Sequence, residues 1–361
     1  MGAYLAVALV AFLFVLQKIW PKKTMENLLY YHSLNRKLVE PEEQVILNGR
    51  LYNQWWLPIM YMSLTVFFPK EAEFLEKEAW KKQNLRNEIA EKHVVQRFYL
   101  MPHHRGKFQI HFSLPRRGRY HLGNHFLETG DLFGIQTNIK REEQRLELIV
   151  MPRSSQDPVV IKMLGGFMGE ISARRFIYED PILTVGFREY TGREPMKSIS
   201  WKQTARSGEL VVHQYDHTVD INVAVLLNTE GGSKEELESC FEITRRVCEE
   251  LEKKHIVYEF FTNGDLKTPV GTMRWLPEGL GRTHFQTIMY GLGSSNCHNL
   301  GSFMDMVEQC KGRRKSGRSY LVITPPLKKS GVRAVNELER ISELEVCVLV
   351  GKAENEEVMS S

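Results

Sequence analysis

No Walker-type phosphate loop occurs anywhere in the 361 residues, so any ATP-dependent role has to be supplied by another protein. Cysteine is scarce. The five, Cys240, Cys248, Cys297, Cys310 and Cys347, all lie in the last third, and none forms a Cys-x-x-Cys pair. An odd number without metal-ligand spacing argues against a disulfide framework or a zinc site and for free thiols in a reducing compartment. Excess charge is small: the formal balance is +4 with both signs interspersed, without the concentrated basic face that nucleic acid requires. No catalytic constellation is present either, and neither a cofactor nor an enzymatic activity is expected.

What is present is ordinary globular material, 42% hydrophobic and 25% charged, enough for two domains with separate cores. It is preceded by an apolar N-terminus. Residues 3–16 are all apolar, and Ile19 and Trp20 extend the run past Gln17 and Lys18. A helix over residues 3–20 spans about 27 Å, close to a hydrocarbon core about 30 Å thick. Lys18 suits the interface and Trp20 the headgroup level. The basic n-region and small-residue cleavage site of a signal peptide are both missing. The pattern predicts a single-pass anchor at residues 1–23. Because Lys18, Lys22, Lys23, Arg36 and Lys37 follow the run, the soluble domains are expected to face the cytoplasm from the cell membrane. A second apolar run, residues 55–68, is short, interrupted by Pro58 and rich in β-branched and aromatic residues, which predicts buried strand rather than membrane helix.

Residues 37–152 read as short strands. Residues 108–113 alternate with period two, and a polar segment over 71–92 has helical character. A breaker-rich connecting segment, 153–187, carries Pro158 and the Gly165-Gly166 pair. Residues 188–352 then alternate strand and helix. The run 220–227 suits a strand buried on both faces. Leu237, Phe241, Ile243, Val247 and Leu251 recur at helical spacing, and a second strand falls at 256–261. Such alternation predicts an open parallel sheet flanked by helices. The last residues, 353–361, read as a disordered tail.

Residues 188–228 hold the most specific pattern: Arg188-Glu189-Tyr190-Thr191-Gly192, then Ile199 and Trp201, then Thr204-Ala205-Arg206-Ser207-Gly208, then an apolar strand. With Arg116-Arg117-Gly118-Arg119-Tyr120-His121-Leu122-Gly123 and Asp131-Leu132-Phe133-Gly134 before it, this order resembles the signature of the bacterial and archaeal domain of unknown function 58 family. The resemblance implies a small β-sandwich followed by a von Willebrand factor type A-like domain, usually held at a membrane. It also implies association with an ATPase of the MoxR type in assembly or maturation of envelope or redox proteins. Arg193-Glu194 replace the family's Gly-Asp, and Lys197 stands at an expected Arg. Where metal-binding type A domains carry Asp-x-Ser-x-Ser, this chain has Asn228, Glu230 and Gly232, which removes most of the hard oxygen ligands a magnesium ion takes. No metal is expected there.

Two roles stand open for Arg188, Tyr190, Gly192, Trp201 and Arg206. They form a docking patch for a protein partner, or Tyr190 and Trp201 fill a domain junction while the arginines bond loop carbonyls. The paired histidines His213/His217 and His121/His125, four apart on strands, share a face at about 13 Å, too far for one metal. Gly291-x-Gly293 follows a helical rather than a strand pattern, and Cys297-His298 lacks an orienting acid. A hydrolase using Glu230, His213 and Arg188 in an interdomain cleft, and a lipid-surface binder using the basic tract 116–119, are the competing functions.

Overall fold

The computed structural model describes residues 4, 19–20, 22–74, 92–130, 137–177, 184–192, 196–215, 222–269, 271–313, 318–342 and 346–352. The chain divides into two compact units, Met1–Arg153 and Ser154–Ser361.

Strands β1 (Leu28–Leu34), β2 (Leu38–Val39), β3 (Val45–Asn53), β4 (Ile59–Phe68), β5 (Glu73–Phe74), β6 (Lys92–Leu100), β7 (Arg105–Ser113), β8 (Gly118–Gly130) and β9 (Thr137–Val150) build the first unit. They form two sheets, β1-β3-β7-β5 and β2-β9-β8-β4-β6. Alternation explains the arrangement. Along β3, Val45, Leu47 and Leu51 point inward with period two, joined by Ile110 and Phe112 of β7. Met62, Leu64 and Val66 of β4, with Leu122, Leu127 and Leu148, supply the rest of the same core. Each such side chain contributes roughly 1.5–3 kcal/mol on burial. Gly49 is required opposite Phe108, whose ring occupies the place a Cβ would take.

One polar cluster interrupts this core. Tyr30 and His32 of β1 meet His125 of β8, with ring centroids 4.5 Å (Tyr30–His125) and 5.5 Å (His32–His125) apart. His125 is 1% exposed. Its Nδ1 lies 2.8 Å from Gly123 O and its Nε2 3.5 Å from Glu142 on β9, which Lys140 also pairs. Both ring nitrogens of His32 and the Tyr30 hydroxyl are buried without a hydrogen-bond partner. Burial first, then His125, push His32 down to about 4 from its usual 6.5, while Glu142 pulls the other way. A depressed histidine means that the unfolded chain binds the proton more tightly, so stability falls as pH drops from 6.5 toward 4. For this half-buried ring, about 1 kcal/mol is expected to be lost between about pH 7.5 and about pH 5, roughly half the unscreened value. Urea midpoints across that range measure it, and His32→Phe is expected to flatten the slope. An unchanged slope would assign the proton to another group.

His121 and His125, expected to share one face of a strand, do not. A register shift between Leu122 and Asn124, which face Leu146 and Glu143, interrupts the β8–β9 ladder at Gly123, whose φ is 106°. The irregularity breaks the period-two relation, so His121 is exposed while His125 turns into the core.

The membrane placement is corrected as well. Among the described residues no helix is long and apolar enough to cross a membrane. Of the run 3–20, only Tyr4, Ile19 and Trp20 lie within the described residues. Trp20, expected at headgroup level, is 6% exposed and packs edge-on against Trp55 at 5.0 Å. Thr24 and Met25 are buried beyond it. The single-pass anchor and its cytoplasm-facing cell-membrane localisation are therefore withdrawn.

The second unit starts with α1 (Pro158–Ile177), followed by β10 (Thr184–Glu189), a 3₁₀ turn (Met196–Ser198), α2 (Trp201–Ser207) and β11 (Val211–Tyr215). Then come β12 (Asn222–Leu227), α3 (Lys234–Lys253), β13 (Val257–Thr262), β14 (Lys267–Thr268), β15 (Gly271–Thr272) and β16 (Trp275–Gly279). It ends with α4 (Arg282–Ser294), α5 (Phe303–Gly312), β17 (Arg318–Thr324), α6 (Lys329–Ile341) and β18 (Val346–Val350). The main sheet has the order β16-β13-β12-β17-β18. Every residue of β12 is buried, as a central strand covered on both faces requires. Ser233 and Glu236 start α3 with a reciprocal capping box. Ala224, Leu226, Phe261, Tyr320 and Val322 pack on α5 and α6, and α3 lies against β13 and β17.

The expected fold, membrane helix, β-sandwich and open parallel type A-like sheet, does not hold in this form. Residues 188–352 contribute to three sheets: the β10–β11 hairpin, the β14–β15 pair and a five-stranded sheet that is mixed. The chain passes from β13 through β14 and β15 directly into β16 without a helix to return it to the other end of the sheet. β16 therefore lies antiparallel to β13. The helical segment expected within 71–92 and the tail 353–361 lie largely or wholly outside the described residues.

Candidate functional site

The signature residues gather on one small unit, β10–α2–β11, and the structure separates those that build it from those that face outward. Tyr190 N donates to Leu210 O at 2.8 Å and Ser200 N to Val211 O at 2.8 Å, tying both residues to the start of β11 and the residue before it. Val211 N donates to the Thr204 hydroxyl at 3.1 Å. Gly208 closes α2 at φ 80°, its amide bonded to Thr204 O at 2.9 Å, a left-handed position that a side chain would strain. Ile199 and Val212 are buried beneath. The Ile-x-Trp and Thr-Ala-Arg-Ser-Gly runs thus have a local cause: a buried aliphatic, a hydroxyl acceptor and a terminating glycine.

The remaining signature side chains are solvent-facing. Trp201 is 61% exposed. Arg188, Arg206 and Gly192 are exposed and Tyr190 is half-buried; Arg188 and Tyr190 also make local interactions. Phe187, Met196 and Leu210 are exposed apolar residues of the same unit, and Lys197 and Lys202 add positive charge. Reading by motif missed Phe187, Met196, Lys202 and Leu210. Their signal was local: two apolar residues flanking the Trp-containing helix, with no acidic residue inside it. Arg193 and Glu194 lie outside the described residues.

The degenerate metal motif lies at the carboxyl end of β12, where open α/β sheets commonly bind ligands. Here that edge is closed by neutral amides and hydroxyls. Asn228 Nδ2 donates to Thr324 Oγ1 at 2.9 Å, and its Oδ1 accepts from Glu230 N at 3.0 Å and Asn263 Nδ2 at 2.8 Å. Thr229 N donates to Asn263 Oδ1 at 2.8 Å. Glu230 turns to the start of α5, where its Oε2 accepts from Phe303 N at 2.7 Å, a favourable place for a carboxylate. A Cβ on Gly232 would stand 2.7 Å from the Pro325 ring. Sequence reading found Asn228, Thr229 and Glu230 but not Asn263 and Thr324, which come from neighbouring strands. Among the described residues no group of three or more His, Cys, Asp or Glu side chains is arranged to hold a metal ion.

The other candidates separate. Arg188 and His213 stand on paired strands, with Phe187 opposite His213. Glu230 is engaged with the start of α5. The side chain of His213 and all of His217 lie outside the described residues. In the basic tract, Arg119 pairs with Glu147 at 2.5 Å and Tyr120 bonds Arg116 O at 3.0 Å, which makes it a hairpin flank. Gly291 and Gly293 lie inside α4 rather than in a phosphate loop. All five cysteines are free. Burial pushes the Cys240 thiol up to about 12 and those of Cys310 and Cys347 up to about 11, which leaves them protonated and unreactive. Cys297 sits on a left-handed backbone at φ 63°. Its loop is held by Asp265, which accepts from Ser295 Oγ at 2.5 Å, Asn296 N at 3.1 Å and His298 N at 3.2 Å. That carboxylate organises backbone amides rather than the His298 ring.

No protein-family model and no curated protein matches the chain. Among solved structures it is similar to a β-glucosidase of Erythrobacter marinus at 9% identity, over 34% of this chain and 15% of that one, with a TM-score of 0.21. It is similar to the alkylpurine DNA glycosylase of Pseudomonas fluorescens bound to DNA with an abasic site analog, at 10% identity over 34% and 30%, TM-score 0.20. A third is E. coli alpha-2-macroglobulin, at 13% identity over 35% and 7%, TM-score 0.24. The chain spans at most 30% of the length of these three proteins. Likenesses this slight carry neither fold nor function.

Proposed function

We propose that the chain is a protein-interaction module or assembly factor of the domain of unknown function 58 type, docking its partner through β10–α2–β11. The observation that carries this reading is Trp201, 61% exposed on a helix held to Val211 of β11 through Ser200 N and the Thr204 hydroxyl. A large aromatic on a locally braced frame is the usual anchor of a protein interface, since burying it costs little further ordering. The partner we propose is an ATPase of the MoxR type, acting in maturation of envelope or redox complexes. That part is drawn from the family resemblance, and a chain without its own Walker motif is compatible with it.

The test compares the intact protein with an Arg188→Ala/Trp201→Ala variant as baits in native extracts. Circular dichroism first verifies that both fold. The intact protein is expected to recover a MoxR-type ATPase, and the variant to recover it at least about tenfold less, as loss of an interface tryptophan commonly does. Equal recovery by both would remove this surface from the reading, and recovery by neither would sink the partner.

A further inference from the structure

The charge of the same surface specifies what it takes, an inference that rests on the docking reading above. α2 exposes Trp201, Lys202, Ala205 and Arg206, while Gln203 and Thr204 are half-buried toward the frame. At helical spacing Trp201 stands over Ala205 and Lys202 over Arg206, giving an aromatic row beside a basic row. The small Ala205 leaves the indole open from that side. Lys197 precedes the helix, no acidic residue lies within it, and Glu209 follows it. Lys197, Lys202 and Arg206 form no ion pair among the described residues, so their charge is directed to solvent. Met196, 68% exposed, and Leu210, 45% exposed, extend the apolar part at the two ends.

We infer that this surface takes an acidic amphipathic segment of a partner protein, with carboxylates on Lys202 and Arg206 and an apolar side chain over Trp201. Charge complementarity selects the occupant: a basic or neutral segment would leave two cations desolvated beside the indole without a counter-charge. Nucleic acid fits less well. Single strands are held by successive stacked aromatics in a continuous basic groove, and this unit offers one tryptophan in a chain of net charge only +4.

The experiment uses the full chain and three labelled synthetic peptides of one amphipathic pattern. The first carries Glu at its polar positions, the second Gln and the third Lys. Oligouridylate RNA is a fourth probe, and binding is read by fluorescence anisotropy. The Glu peptide is expected to bind, at least about tenfold tighter than the Gln peptide, and to weaken about tenfold as salt rises from about 50 to about 300 mM. Lys202→Gln/Arg206→Gln, which keeps the side chains polar and exposed, is expected to abolish the preference for Glu over Gln. Trp201→Ala is expected to weaken Glu and Gln peptides alike. Equal binding of Glu and Gln peptides, both lost in Trp201→Ala, would overturn the acidic occupant while leaving the docking surface standing. RNA binding that Lys202→Gln/Arg206→Gln abolishes, without Glu-peptide binding, would overturn it in favour of nucleic acid. Binding of no probe, together with no ATPase recovered in native extracts, would overturn both readings.

Discussion

Arg318→Ala is expected to destabilise the C-terminal unit by about 3–5 kcal/mol, the cost of leaving a buried charge without its partner. Arg318 opens β17 and its Nη2 lies 2.5 Å from Glu259 Oε1 on β13; the two side chains are 1% and 4% exposed. Glu259 Oε2 also accepts from Trp275 Nε1 at 3.2 Å, and Asn222 of β12 bonds Glu278 beside them. The arrangement is incomplete even in the native protein: Arg318 Nε and Asn222 Oδ1 are buried without hydrogen-bond partners. Removing the guanidinium strands the Glu259 carboxylate among Trp275, Asn222 and the Cys310 thiol. Removing both charges does not. Arg318→Met/Glu259→Leu is expected to recover most of the loss, because each buried ion also carries a desolvation cost of several kcal/mol. Urea denaturation of both variants measures the difference. A single variant within about 1 kcal/mol of wild type would mean that water reaches the pair.

That pair shows where sequence legibility ends. The run 256–261 is recognisable as a strand, and Glu259 is the one charge inside it. An isolated acid in an apolar strand is itself a signal of a buried partner. Its partner is a different matter. Arg318 borders a separate apolar run, and only the parallel register of β13 and β17 on either side of β12 brings the two together. Elements with one dominant cause were legible in this way: β12 from its aliphatic run, α3 from helical spacing, β7 from alternation. Features depending on pairing were not. His125 was misplaced because the ladder irregularity at Gly123 inverts its face, and β16, for which no strand was read, takes its direction from a short return after β13. In β10–α2–β11 the motif residues were visible, but whether Trp201 is buried depends on what packs over α2, which no local pattern encodes.

At the sheet edge, Asn228→Ala is expected to cost about 2–4 kcal/mol, since it removes the acceptor of Asn263 Nδ2 and Glu230 N and the donor to Thr324. The more informative change is Asn228→Asp, which introduces a carboxylate at this position. Asn228 is 2% exposed, so an ionised carboxylate there is penalised by burial, and it replaces the Nδ2 donor with an oxygen facing Thr324 Oγ1. A carboxyl raised by burial is relieved when protonated, so the gap between Asn228→Asp and wild type is expected to narrow as pH falls. Magnesium is expected not to close it. Ligation at about a hundred times the dissociation constant would add about 2.7 kcal/mol and a clear rise in Tm. Among the described residues no second arm is arranged to hold the ion. Glu230 is committed to the amide of Phe303, and Gly232 cannot regain a hydroxyl because Pro325 lies 2.7 Å from where its Cβ would be. Thermal melts of Asn228→Asp with and without millimolar magnesium decide the point. A magnesium-dependent rise would show that one carboxylate is enough to reopen the edge. An unchanged Tm would place the closure in Pro325 and α5 as well as in the amide at position 228.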